Sequence, residues 1–438
     1  MIVSRLLHVR DNELARLWPF FFIYLFLFAA LTLADGVSLA LYVQEIGAER
    51  LPTAYALIAL LNFALVTWYL RVAPHESSVV VFKLIVGSTA AIFASVWLLV
   101  RVLGCADVGY RILYIGRELS LTLVLLHFGT YLQDFFTRPE LNRVLPIVYA
   151  GGRVGGMVGA LLLELCSHRL GVVNLILVVE GLLAVAFVGI HWTTSRIKCI
   201  DEPTSQARFT RLDTTPQAIW RLIRSNRLMF WLLITSFTFM VCRWLLNFLY
   251  NSFFEQYFIE YNFIAWLESA EDEPDTVDMA QFLGRYTWIA LFGSLVMQLF
   301  VVNRLVERLG IGAAHFVYAA LVASALSVSA WTMTLPIAIC CRFIESELRF
   351  ALRNPLMQLM TNQFPKPVRT VARSLTMGYV TPIATMCASG LLLFLASVES
   401  ARLTIFLGVV VGLVYLVSSV MLWRILRHHE RESLSSDG

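Results

Sequence analysis

The stretch from Gly171 to Tyr250 reads GVVNLILVVEGLLAVAFVGIHW, then TTSRIKCIDEPTSQARFTRLDTTPQAIWRLIRSNR, then LMFWLLITSFTFMVCRWLLNFLY. Two apolar runs, each long enough to cross a hydrocarbon core of ~30 Å as a helix, flank a polar segment from Thr193 to Arg227. That segment sets Arg196, Lys198, Arg208, Arg211, Arg221, Arg224 and Arg227 against Asp201, Glu202 and Asp213. Outward from it, five further apolar runs precede and five follow. In chain order the spans lie near 17–41, 53–72, 79–103, 109–135, 144–165, 171–192, 228–250, 280–303, 313–333, 335–361, 374–397 and 402–424. The pattern predicts an all-α membrane protein with twelve transmembrane helices in two six-helix bundles. The N-terminal bundle is 1–192, the basic linker 193–227, and the C-terminal bundle with a short tail 228–438.

Composition agrees. Hydrophobic residues make up 58% of 438 and charged residues 15%, with a mean hydropathy of +0.73. A soluble surface needs roughly 25% charged residues, so the chain lacks the charge to wet one. The net charge of +4 comes from 34 basic and 30 acidic residues. An excess this small and scattered excludes a nucleic-acid-binding surface. Seven cysteines without Cys-x-x-Cys spacing argue against a disulfide framework or a zinc site. His428-His429 is too isolated to form a metal site, and no cofactor motif is present. The N-terminal charges Arg5, Arg10, Asp11, Glu13 and Arg16 precede an apolar run without a small-residue cleavage site. The first span is therefore expected to be retained.

Basic residues orient the spans. With the N-terminus inside, the external loops hold only Arg50, Arg101, Arg111, Arg169 and Arg402. Cytoplasmic segments outnumber them about three to one even without the linker, which predicts both termini in the cytoplasm. The long external loop, about 259–278, carries Glu260, Glu268, Glu271, Asp272, Glu273, Asp275 and Asp278 and no basic residue. The two halves also echo one another. Phe136-Thr137-Arg138-Pro139 follows span 4, and Phe364-Pro365-Lys366-Pro367 follows span 10.

An ionisable residue at the bilayer centre costs ~2.5–3.5 kcal/mol. The spans nonetheless contain Asp35, Arg117, Glu118, His127, Arg153, Glu180, Arg243, Arg342, Glu345, Glu347, Arg349 and Arg353. These residues must face one another or a water-filled cavity. At 100° per residue, Arg342, Glu345, Arg349 and Arg353 form a stripe about 80° wide on span 10. Glu345 and Arg349 then stand as an i,i+4 pair. Guanidinium forks suit carboxylate or phosphate groups, so the stripe reads as an anion-binding or gating element, or as a salt-bridge network between helices. On span 4, Arg117, Ser120, His127, Tyr131 and Asp134 share a face, with Glu118 off it. His127 and Glu118 are candidates to carry a coupling proton; a hydrogen-bonded interior histidine is the alternative. Glu180 is expected to pair within the bundle, with Arg153 as the candidate partner. Gly151, Gly155 and Gly159 recur every four residues, as do Gly152 and Gly156. No strand and no Gly-Lys-Ser/Thr accompanies them, so the spacing predicts close helix packing and not a phosphate loop. The stretch 217–227, with Ile219, Trp220, Leu222 and Ile223 between arginines, fits an amphipathic surface helix or a plain connector.

Four segments resemble the major facilitator superfamily, and within it the ATP/ADP-carrier-like branch. They are Ile46-Gly47-Ala48-Glu49-Arg50-Leu51-Pro52, Gly151-Gly152-Arg153-Val154-Gly155-Gly156, Met279-Ala280-Gln281-Phe282-Leu283-Gly284-Arg285-Tyr286 and Asn303-Arg304-Leu305-Val306-Glu307-Arg308-Leu309-Gly310. The resemblance implies alternating access around a central cavity lined by spans 1, 4, 7 and 10, which brings Asp35 and Arg243 to that cavity. The loop Arg71-Val72-Ala73-Pro74-His75-Glu76-Ser77-Ser78 departs from the signature of general facilitators. Nucleotide exchangers of the branch use helix-borne lysines. Here only Lys83, near the cytoplasmic start of span 3, lies inside a span, so nucleotide exchange is not expected.

The expectation is a secondary transporter in the plasma (inner) membrane moving a small polar solute, anionic or zwitterionic, and not an enzyme. Asp35, Arg117, Arg243, Arg342, Glu345 and Arg349 would bind the solute or gate it, and Glu118 or His127 would couple to a proton or counter-substrate. The alternative is a non-transporting membrane scaffold or sensor of the same fold, whose interior charges are structural.

Overall fold

Helix ends in this chain fall where glycine, proline or a run of polar residues interrupts the apolar pattern. The computed structural model describes residues 11–72, 76–136, 138–197, 216–269, 276–364, 366–398 and 401–436, all helical apart from short turns. Residues 1–10, most of the basic linker (198–215), the centre of the acidic loop (270–275), and Thr137 and Pro365 of the paired motifs lie outside the described residues.

Six helices precede the linker: α1 (Asp11–Glu45), α2 (Leu51–Val72), α3 (Ser78–Arg101), α4 (Ala106–Gln133), α5 (Arg138–Leu170) and α6 (Leu175–Arg196). The short α7 (Pro216–Ser225) follows, with Trp220 exposed and the Arg224 guanidinium 5.7 Å from its ring. Then come α8 (Arg227–Ser269), α9 (Thr276–Met297), α10 (Asn303–Trp331), α11 (Leu335–Glu345), α12 (Asn354–Asn362), α13 (Lys366–Leu375), α14 (Thr381–Val398) and α15 (Ala401–Ser436). Among the described residues, eleven helices are long and apolar enough to cross a membrane. The twelfth expected span, 335–361, is present as α11 and α12 with a break between them.

That break has a local cause. Proline has no N–H, so Pro355 leaves the carbonyl four residues earlier without its α-helical partner. The chain responds with a π-helical turn at Arg349–Arg353, in which the Asn354 N–H bonds to the Arg349 carbonyl. Pro382 has the same effect on Thr376–Val380, where the Thr381 N–H bonds to the Thr376 carbonyl. Gly310 accounts for another corner: at φ +81° it is non-helical and separates the polar start of α10 from its membrane part. Conversely, α8 runs well past the expected end at 250. Its aromatic continuation, Phe253, Phe254, Tyr257 and Phe258, contains no glycine or proline to stop it.

The chain forms two compact units. One comprises Met1–Ala48, Ala64–Pro203 and Phe258–Phe292; the other comprises Glu49–Phe63, Thr204–Tyr257 and Gly293–Gly438. In the first, α1 lies against α5 through the glycine stripe. A Cβ on Gly151, Gly155 or Gly159 would stand 2.8, 2.0 or 2.2 Å from the carbonyl oxygens of Phe21, Leu25 and Ala29. The small-residue spacing thus serves backbone contact. An aromatic cluster of Phe20, Phe82, Phe128, Tyr131 and Phe135 fills the space between α1, α3 and α4. In the second unit, α10 and α15 pack together, and Phe239 of α8 contacts Tyr318 and Tyr415.

Candidate functional site

In the second unit, α8 carries Phe239, Arg243, Asn247 and Tyr250 at spacings of four, four and three, which is one helical face. The residues of α11 and its π-helical extension meet that face. Glu345, 3% exposed, accepts from Arg243 Nε at 2.6 Å and from the Tyr250 hydroxyl at 2.9 Å. A directed chain reaches the same carboxylate from farther away. The Tyr55 hydroxyl donates to Asn247 Oδ1 (2.7 Å), Asn247 Nδ2 to the Tyr250 oxygen (2.5 Å), and Tyr250 to Glu345. Asn251 also donates to Asn247 Oδ1, at 3.0 Å. The Arg342 guanidinium stands 5.7 Å from the Tyr250 ring, and Arg243 lies 4.6 Å from that of Trp244. Trp244 in turn donates to Thr385 at 2.8 Å.

The structure thus brings Arg243, Arg342 and Glu345 together. Arg349 lies within electrostatic reach of Glu345 but makes no ion pair with it; the carboxylate pairs with Arg243 on α8, not with its i+4 neighbour. Arg243 on α8 takes the place that the i,i+4 spacing assigns to Arg349. Asn247, Tyr250, Asn251 and Tyr55 are uncharged at neutral pH and so do not stand out from an apolar run as the arginines and glutamates do. The signal was present on α8, where Asn247, Tyr250 and Asn251 recur at i, i+3 and i+4 within an apolar run.

In the first unit, Arg117 bonds Asp35 at 2.8 Å and also contacts the neighbouring Glu118 carboxylate. The side chains are 13%, 31% and 19% exposed in the order Arg117, Asp35, Glu118, so the group is partly open. Two carboxylates on one guanidinium give this unit a site of opposite character to the Arg243–Glu345 group. His127 has its Nε2 2.7 Å from the Ser78 carbonyl and its Nδ1 2.8 Å from the Tyr69 hydroxyl. A carbonyl only accepts, so Nε2 carries the proton and Tyr69 donates to Nδ1. Both ring nitrogens of a neutral imidazole are thereby used. Asp134, at the C-terminal cap of α4, accepts from the Ser78 hydroxyl. Glu180 lies against the backbone of Ala94, not Arg153.

The first unit contains one further polar joint. Glu164 on α5 accepts from Arg285 Nε and Trp288 Nε1 on α9, both at 2.7 Å. Gly284 permits it, since a Cβ there would stand 2.6 Å from the Glu164 nitrogen. Among the described residues no group of three His, Cys, Asp or Glu side chains could hold a metal ion.

No protein-family model matches the chain, and no curated protein matches it by sequence. Solved structures do. The nucleoside transporter NupG aligns over 96% of this chain and 99% of its own, with a TM-score of 0.61 at 13% identity. An auto-inhibited peptide transporter of the POT family aligns over 95% and 97%, with a TM-score of 0.62 at 13% identity. The xylose transporter XylE from E. coli, in an inward-open conformation, aligns over 94% and 95% at 0.57 and 11% identity. The chain has the fold of these proteins, the twelve-helix major facilitator fold, and is a multi-pass membrane protein.

Proposed function

We propose that the protein is a secondary transporter that moves a small polar solute, anionic or zwitterionic, by alternating access. The observation that carries this reading is a buried carboxylate, Glu345, that pairs with Arg243 and lies within electrostatic reach of Arg349, beside a Tyr250 ring on which Arg342 stands. The fork geometry of these guanidinium groups suits an acidic group on a solute. The Asp35–Arg117–Glu118 group supplies acidic character for an amino group or for a coupling proton. Between the two coupling candidates the geometry favours Glu118, because His127 is held by two hydrogen bonds. The moving halves are taken as 1–192 and 228–438, joined by 193–227, with both termini cytoplasmic and the protein in the plasma membrane.

Structurally similar proteins are transporters of nucleosides, peptides and a sugar. That supports transport in general and leaves the solute to the site chemistry. The four segments that resemble the ATP/ADP-carrier-like branch favour kinship with it, but an arginine site with a lone peripheral lysine favours an anion smaller than a nucleotide. The test is uptake into proteoliposomes together with thermal stabilisation by a panel of nucleotides, phosphorylated metabolites, organic acids and amino acids. Arg342→Ala is expected to abolish uptake and ligand stabilisation while the protein still purifies folded. Unchanged uptake in that variant refutes the assignment.

A scaffold or sensor reading has one observation in its favour: Arg117–Asp35 and Arg243–Glu345 are mutually satisfied pairs. On that reading Arg342→Ala lowers stability, and no solute in the panel stabilises the wild-type protein.

A further inference from the structure

A second buried polar group lies one turn of α8 away from the Arg243–Glu345 pair, also within the second unit. Arg353 closes the π-helical turn and is 7% exposed, with its guanidinium 3.6 Å from the centroid of the Phe239 ring. Tyr415 and Ser419 of α15, both 0% exposed, stand beside it, and the ring of Tyr415 is also 5.8 Å from Phe239. His315 of α10, 1% exposed, packs edge-to-face on Tyr415 at 6.2 Å and lies within electrostatic reach of Arg353.

Contacts within the group leave part of its hydrogen-bonding capacity unused. Arg353 and Ser419 reach the Tyr415 hydroxyl, whereas both ring nitrogens of His315 and Arg353 Nε are buried without a hydrogen-bond partner. Native proteins rarely leave such groups unpaired, because each costs free energy comparable to a lost hydrogen bond. Arg353 makes the stronger case. Among the described residues no carboxylate lies within ion-pair distance of it, and Glu345 is committed to Arg243 at 2.6 Å. A guanidinium stays charged at any accessible pH, and a buried charge lacking a counter-charge is strongly destabilising. The Phe239 ring offsets part of this through its quadrupole but supplies no negative charge and no acceptor.

We propose that Arg353, His315, Tyr415 and Ser419 form a binding site for a small inorganic anion of about the size of chloride. The only formal charge in the group is positive. Its neighbours can each turn an N–H or O–H toward an anion, and none is an obligate acceptor. Burial of all four above nine-tenths restricts the occupant to a compact ion and excludes a lipid headgroup or an organic acid. The site differs from the solute site proposed above: Arg353 faces Phe239 and Tyr415, whereas Arg243 and Arg342 face Glu345 and Tyr250.

The test uses the purified full-length protein, with chloride exchanged for gluconate at constant ionic strength. Binding of radiolabelled chloride and the thermal unfolding midpoint are both followed. Saturable binding at one site is expected, with a midpoint that rises with chloride and with bromide but not with the bulkier gluconate. Arg353→Gln is expected to abolish the response. Tyr415→Phe, which removes one hydroxyl and preserves the ring packing, is expected to weaken binding roughly five- to tenfold and keeps the test decisive if the arginine variant fails to fold. Arg342→Ala is expected to retain the chloride response whether or not it transports. A wild-type protein indifferent to chloride overturns the proposal, as does a response unchanged in both site variants. A response lost in Arg342→Ala but kept in Tyr415→Phe also overturns it and moves the anion to the solute site.

Discussion

Glu345 holds its charge in the membrane through two donors on α8, Arg243 Nε and the Tyr250 hydroxyl. A hydrogen bond to a charged group is worth about 1.5–3 kcal/mol. Tyr250→Phe keeps the ring beneath Arg342 and removes one of those bonds. It is expected to destabilise the protein by an amount in that range and to weaken solute affinity in parallel, read as a lower unfolding midpoint and a higher half-saturation for uptake. An unchanged midpoint would mean that the carboxylate is secured by Arg243 alone. The sequence identified Glu345 and the arginines of its stripe, because a charge inside an apolar run is conspicuous at any position. It could not identify the partner. Arg243 is 102 residues away on another helix, and the local spacing points instead to Arg349. His127 shows the same limit. Its place on a polar face of α4 was readable, but its two bonds, to Tyr69 and to the Ser78 carbonyl, depend on α2 and α3.

At the scale of elements, the α1–α5 contact is set by glycines that leave room for a neighbouring backbone. Gly155→Ala would bring a methyl group to 2.0 Å from the Leu25 carbonyl oxygen, and the neighbour is backbone that cannot rotate away. Overpacking of this kind costs typically 1–3 kcal/mol. A loss of at least that size is expected in thermal unfolding, with reduced yield. Gly181→Ala on α6 is the matched control, because a Cβ there meets nothing within 4 Å. It is expected to be neutral, or stabilising by up to about 1 kcal/mol through helix propensity. Equal losses in the two variants would refute the packing role. This contact was legible in advance because small-xxx-small spacing is a local pattern. The break in span 10 has an equally local cause in Asn354-Pro355, but hydropathy runs through it without a signal. The extension of α8 to Ser269 was missed because the polar residues after Tyr250 suggested a loop, whereas the aromatic residues among them continue the helix.

At the scale of the whole molecule, orientation and the distribution of charge are the quantities to test. Cys105 is exposed in the turn before α4, on the side that the basic residues assign to the exterior. A variant retaining only Cys105 is expected to react with a membrane-impermeant maleimide in intact cells. Labelling only after permeabilisation would reverse the topology. The interior charges also divide unevenly. Asp35, Glu118 and Glu180 accompany Arg117 and Arg153 in the first unit, whereas Glu345 and Glu347 accompany Arg243, Arg342, Arg349 and Arg353 in the second. This division is the same for the sequence halves and for the two compact units, so the cationic excess of the second is legible from span order.

Span number, the glycine packing face and the presence of a polar interior were determined by the sequence alone, because each depends on hydropathy or spacing within about 20 residues, the length of one membrane crossing. Which charges meet was decided only in three dimensions. So was the membership of the two units, to which helices 2 and 8 of the twelve-span count each contribute across the sequence boundary. The first part of α2 belongs with α8 and α14 through Tyr55 to Asn247 and through the Ser389 hydroxyl to the Pro52 carbonyl. The first part of α9 belongs with α5 through Glu164, Arg285 and Trp288. Those contacts join residues 121 to 337 positions apart. No periodicity within a helix encodes them, since a helix's own pattern specifies which face must be covered and not which neighbour covers it.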